Sequence, residues 1–144
     1  MTHTTYGKPD ILRLVEVQKP APGAGQIRVR VVAGSVNPID WKLASGALRL
    51  IMPAKFPVVP GFDIAGVVDE VGPNVPGVVV GARVHVRSAK ASGGGAADYA
   101  ILDASEVTPM PDSLGFAEAA AIPLAGMTAL QALRDQGGLP LTGA

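Results

Sequence analysis

Gln26 to Ala33, reading QIRVRVVA, alternates Ile27, Val29 and Val31 with Arg28, Arg30 and Val32. A two-residue period sends successive side chains to opposite faces, so this stretch predicts a strand with its aliphatic set inward and its arginines outward. Working outward, the turn-forming run Pro20-Ala21-Pro22-Gly23-Ala24-Gly25 separates it from a further strand expected over Leu12 to Val17, and the pair reads as a meander. On the other side, Asp63 to Val71 carries Ile64, Val67, Val68 and Val71 around Gly66. A glycine inside a strand predicts a bulge or a close backbone approach. Arg83 to Val86 and Tyr99 to Leu102 are two more short strands. Between them, Ser92-Gly93-Gly94-Gly95 predicts a flexible loop, and Val75 to Val80 is apolar but broken by Pro76 and Gly77. Short strands punctuated by turn residues indicate a β-barrel or sandwich.

The chain of 144 residues contains Gly 18 and Pro 13, about twice their average share, which fits tight turns better than long helices. The composition changes after Pro111. Phe116 to Ala121 predicts a helix capped by Asp112 or Ser113 and ended or redirected by Pro123. A second helix is expected from Leu124 to Gln136, with Leu124, Met127, Leu130 and Leu133 on one side and Gly137 as its left-handed terminator.

Several function classes are disfavoured by composition. Lys plus Arg and Asp plus Glu are equal at 12 each, which gives no basic face for a phosphate backbone, so nucleic acid is not an expected partner. The absence of cysteine removes disulfides, thiolate catalysis and cysteine-bound zinc, and fits a reducing cytoplasm. His3 and His85 lack metal-ligand spacing, and no G-x-S-x-G elbow is present for a serine hydrolase. No run is long and apolar enough to predict a transmembrane helix, so no membrane association is expected. The glycines at 93–95 do not open a dinucleotide fingerprint, because Asp98 stands where a third glycine belongs and a strand follows.

Asn37-Pro38-Ile39-Asp40-Trp41-Lys42 is the first candidate site. A carboxamide that follows a strand can hold a ligand through donor and acceptor, or Asn37 and Asp40 can simply cap a turn. Trp41 suits a pocket wall and Lys42 a solvated charge. In Pro60-Gly61-Phe62-Asp63-Ile64-Ala65-Gly66, the two glycines permit a path that side chains would block. Asp63 there is either a strand-end carboxylate in water or one partner of a buried pair, with a structural role the default.

Taken in order, SVNPIDWK (35–42), VVPGFDIAGVV (58–68), VVVGARVHV (78–86), GGAADYAIL (94–102) and AAAIPLAGMTALQAL (119–133) resemble the medium-chain dehydrogenase/reductase superfamily, in its zinc-independent quinone oxidoreductase branch. The resemblance implies a mainly β, GroES-like, partly open β-barrel with C-terminal helices. It implies a catalytic domain over 1–122 and, over 123–144, a helix leading toward a Rossmann domain that these residues lack. Where zinc alcohol dehydrogenases of the superfamily carry a cysteine and a histidine ligand, this chain has Asn37 and Phe62, and the structural-zinc lobe is replaced by the short Ser88 to Gly95 segment.

By the same resemblance, NADPH is the expected cofactor, held mainly by residues outside these 144, with no metal. A quinone or an α,β-unsaturated carbonyl is the expected small-molecule substrate. Asn37, Pro38 and Thr128 are expected at the nicotinamide, Asn37 and Lys42 in catalysis, and Trp41 and Phe62 in the substrate pocket. The alternative is a GroES-like binding or assembly module, or a truncated chain without activity, whose exposed strand edges would favour self-association.

Overall fold

The computed structural model describes residues 1–89 and 93–139. Five strands form one antiparallel sheet: β1 (Gln26–Gly34), β2 (Asp63–Val71), β3 (Arg83–Arg87), β4 (Tyr99–Asp103) and β5 (Thr108–Pro109), in spatial order β4-β1-β2-β3-β5. Helix α1 (Pro38–Ala44) lies in the β1–β2 connection. α2 (Phe116–Ala121) and α3 (Pro123–Leu130) follow the sheet, and α3 runs on into a π-helical turn over Gln131–Gln136. The result is a mainly β, partly open barrel with helices following the sheet.

Alternation in β1 works as the sequence implies for its inner face. Ile27 and Val29 join Ile64, Val68, Val84, Val86, Ala100 and Leu102 in the main core. Removing each such side chain from water contributes roughly 1.5–3 kcal/mol before chain entropy is set against it. The opposite face differs from expectation, because Arg28 is buried there. Its guanidinium donates to Asp69 Oδ2 at 2.6 Å and to the Pro20 carbonyl at 2.7 Å, and it also pairs with Glu70. α2 covers another part of the sheet, where Ala119 and Ala120 pack with Ala65 and Met110. β2 is therefore buried on both faces at its start.

Gly66 is the close approach that the sequence predicts. It pairs with Val31, beside a register shift between Val31 and Ala33, and a Cβ on it would lie 2.3 Å from the Arg30 carbonyl oxygen. Gly61 has φ +97, a conformation that side chains rarely adopt.

Four local expectations need correction. Leu12 to Val17 forms no strand. β1 is paired along both edges, to β2 and β4, so no ladder position remains beside it; only Arg13 makes a bridge, to Thr2. The segment is tied instead by Lys19, whose Nζ lies 2.9 Å from Asp69 Oδ2 and 4.2 Å from the Tyr99 ring centre. Neither Asp112 nor Ser113 caps α2; the N-cap is Gly115. Gly137 stays right-handed at φ −85 while Gly138 takes the left-handed turn at φ +66, because the π-helical turn carries the terminus one residue further. Finally, Gly94, Gly95 and Ala96 donate backbone hydrogen bonds to Val59, Gly61 and Pro60, so that part of the predicted flexible loop is pinned. Ser92, at its start, and residues 140–144, at the end of the expected last helix, lie outside the described residues.

Candidate active site

The β1–β2 ladder ends with Gly34 opposite Ile64, so the next residues outward, Ser35 and Asp63, meet. Asp63 is fully buried. Its Oδ2 accepts from Ser35 Oγ at 2.7 Å and from Asn37 Nδ2 at 2.8 Å, while its Oδ1 accepts from the Leu124 backbone N–H at 3.0 Å. Asn37 Nδ2 also donates to Ser35 Oγ at 3.1 Å. One carboxylate thus joins the end of β1, the head of α1, the start of β2 and the first turn of α3. Burial rules out the solvated carboxylate, and among the described residues no cation pairs with Asp63. Charge-assisted bonds from neutral donors satisfy it.

Asn37 is the N-cap of α1 and Pro38 its first residue, where a missing N–H costs nothing. The Asn37 backbone N–H donates to Asp40 Oδ2 at 2.7 Å, and the Gly61 N–H donates to Asp40 Oδ1 at 3.1 Å. Burial pushes the Asp40 carboxyl above its usual range; the N–H groups of Asn37 and Gly61 oppose this, and the negative charge of Asp63 adds to it. Two carboxylates and one carboxamide therefore share a largely dry junction.

The expected site residues fall into separate places. Asn37 sits in the junction, and Thr128, exposed on α3, reaches it through one intermediary. Thr128 Oγ donates to the Leu124 carbonyl at 2.7 Å, and the Leu124 N–H is bound to Asp63. Trp41 and Phe62 do not meet in one pocket. Trp41, 56% exposed, lines the larger cavity, of about 690 Å³, with Ile11, Leu12, Val36 and Gly95. Phe62, 2% exposed, lines a cavity of about 420 Å³ with His3, Leu43 and Met52. Asp40 borders both. Lys42 is exposed, with its ammonium 5.8 Å from the centre of the Trp41 ring.

Ser35 is absent from the predicted site residues, and Asp40 and Asp63 enter the sequence reading only as a turn cap and a structural carboxylate; the Asn37–Asp40 cap is present. A signal existed for Asp40, since an acidic residue three positions after an N-cap asparagine approximates a capping box. Ser35 and Asp63 lie 28 positions apart and carry no local pattern.

The chain belongs to the alcohol dehydrogenase GroES-like domain family, whose model matches residues 23–112, within the medium-chain dehydrogenase/reductase superfamily. It is 41% identical over 132 residues to the chloroplast envelope quinone oxidoreductase homolog of Arabidopsis thaliana, covering 92% of this chain and 40% of that protein. The crystal structure of the human synaptic vesicle membrane protein VAT-1 homolog-like protein superimposes with a TM-score of 0.87 at 31% identity, over 96% of this chain and 43% of that one. The Escherichia coli quinone oxidoreductase complexed with NADPH gives 0.83 at 30% identity, over 94% of this chain and 40% of that one. The chain therefore spans about two fifths of the length of the relatives it matches, and corresponds to their amino-terminal portion. No helix among the described residues is long and apolar enough to cross a membrane.

Proposed function

We propose that this chain is the substrate-side portion of an NADPH-dependent oxidoreductase that reduces quinones or α,β-unsaturated carbonyls by hydride transfer without a metal. The observation that carries this reading is the Asp63 junction, which fixes Asn37 against the first turn of α3 in a chain whose relatives are quinone oxidoreductases.

The donor set bears on both groups that such chemistry could use. Phe62 offers only carbon where the resemblance has a metal ligand. For the pyrophosphate of a dinucleotide the described residues do not fit, since the first turn of α3 is given to Asp63 and that of α1 to the Asn37–Asp40 cap, leaving neither free to cradle phosphate. The nicotinamide end fits better, with Asn37 and the Thr128 hydroxyl on elements joined through Asp63. NADPH, when bound, supplies the hydride. In this reading the chain orients the reacting groups and excludes water, Trp41 and Phe62 wall the two cavities that meet at Asp40, either of which would take the substrate, and the Lys42 ammonium stands as proton source for the reduced product. A cytoplasmic setting belongs to the same proposal.

The test is a chimera in which this chain replaces the matched portion of the Escherichia coli quinone oxidoreductase. Quinone-dependent oxidation of NADPH is the expected result. A soluble chimera that binds NADPH yet reduces no quinone or enone would overturn the reading in favour of a binding module. The 144-residue polypeptide by itself is expected to show no turnover above background; micromolar NADPH binding with turnover would place the phosphate site within it.

A further inference from the structure

His3 is 3% exposed and is held by its backbone and its ring. Its N–H and carbonyl exchange hydrogen bonds with Val58, each 3.0 Å, and the ring packs edge-on against Phe56 with centres 5.6 Å apart. Ring nitrogen Nδ1 lies 2.8 Å from the Thr5 carbonyl oxygen. A carbonyl only accepts, so Nδ1 carries the proton and, in the neutral ring, Nε2 carries a lone pair. Among the described residues Nε2 has no hydrogen-bond partner. Nor is it sealed in, because Arg83 Nε is the one fully enclosed side-chain nitrogen or oxygen there that lacks a partner. The lone pair therefore opens on the cavity of about 420 Å³ that His3 lines.

The other walls decide what can meet it. Leu43, Met52, Pro57 and Phe62 are apolar. Asp40 also borders the cavity, but its two carboxylate oxygens are engaged by the N–H groups of Asn37 and Gly61, and Lys55 is exposed. We propose that this cavity is a binding site for a small neutral phenol, whose ring lies against Phe62 and whose hydroxyl donates to His3 Nε2. The volume suits a single small ligand. A phenolic hydroxyl supplies the donor that a buried, unpaired nitrogen lacks, whereas an anion would enter beside the Asp40 carboxylate. A quinone or an enone has only carbonyl oxygens to offer and would set one against the lone pair. In the reductase reading the larger cavity is then left to the substrate; the phenol site itself does not rest on that reading.

Two isomers decide the matter: para-cresol, which keeps the hydroxyl proton, and anisole, in which the methyl group stands on the oxygen in place of that proton. Each is titrated without NADPH into the 144-residue chain, and the ring-nitrogen magnetic resonance signals of the histidines are followed. The pH is held at about 8, where imidazole is ordinarily neutral. Para-cresol is expected to bind about fivefold more tightly, the ratio set by one neutral hydrogen bond, and to move the His3 Nε2 signal toward that of a protonated ring nitrogen. His85, the other histidine, serves as internal control and should not respond. His3→Phe keeps a ring and removes the lone pair, so the preference should vanish. If that variant does not fold, Met52→Trp, which fills the cavity and leaves His3 in place, is expected to exclude both isomers. No binding, equal binding of the isomers, a stationary His3 signal, a preference that persists in folded His3→Phe, or undiminished binding to folded Met52→Trp would overturn the assignment.

Discussion

At the scale of single residues, the burial of Asp63 and Asp40 sets the energetics of the site. Asp63→Ala would leave the Leu124 N–H and the Ser35 hydroxyl without their acceptor and the Asn37 amide with Ser35 Oγ alone, at an expected cost of roughly 3 kcal/mol, measurable by urea denaturation. Asp40 makes a pH-dependent contribution whose sign is fixed by its raised pKa. The folded state holds the Asp40 proton more tightly than the unfolded chain does, so this group's contribution to stability is full below the ordinary value of 3.8 and is lost as pH rises through the higher folded value. The stability of the natural chain relative to Asp40→Asn should accordingly fall as pH rises from about 4 to neutrality. Denaturation curves at several pH values check this, and a relative stability of the natural chain that rises with pH instead would show that the carboxyl is held below its ordinary range. Asn37 was legible as a candidate because it follows a strong strand and precedes a proline. Asp63 was not, because its role comes from three donors contributed by distant segments.

At the scale of elements, legibility followed periodicity. β2 and α2 occupy the predicted Asp63–Val71 and Phe116–Ala121, and β1, β3 and β4 extend only one residue beyond the predicted strands. β5 is two residues long, too short to display a period, and it was not foreseen. Leu12 to Val17 looks like a strand, yet Leu14 and Val17 are 87% and 78% exposed, since strand-forming composition cannot supply a free edge to pair with. The β1–β2 contact at Gly66 gives a direct test. Gly66→Ala puts a methyl group against the Arg30 carbonyl and should cost roughly 3 kcal/mol through overpacking, read as a lower midpoint of thermal unfolding. The link from Asp63 to α3 gives another. In Asp63→Ala the amide hydrogens near Leu124 should exchange faster while those of the β1–β2 ladder keep their protection; uniform loss across the sheet would mean that the carboxylate supports the whole fold and not the helix alone.

At the scale of the whole molecule, the barrel class could be read from turn spacing and composition, whereas the division of the site between two cavities could not, because it depends on which way the walls around Asp40 face. Apolar side chains remain exposed in separate regions, among them Val36, Leu50, Ile51 and Leu133. The amino terminus has a further effect. The Met1 ammonium donates to the Ala96 carbonyl, and both residues border the larger cavity, while Thr2 and His3 are held by bridges to Arg13 and Val58. A purification tag or fluorescent label fused ahead of Met1 would turn that ammonium into an amide and remove a positive charge from the rim of the cavity.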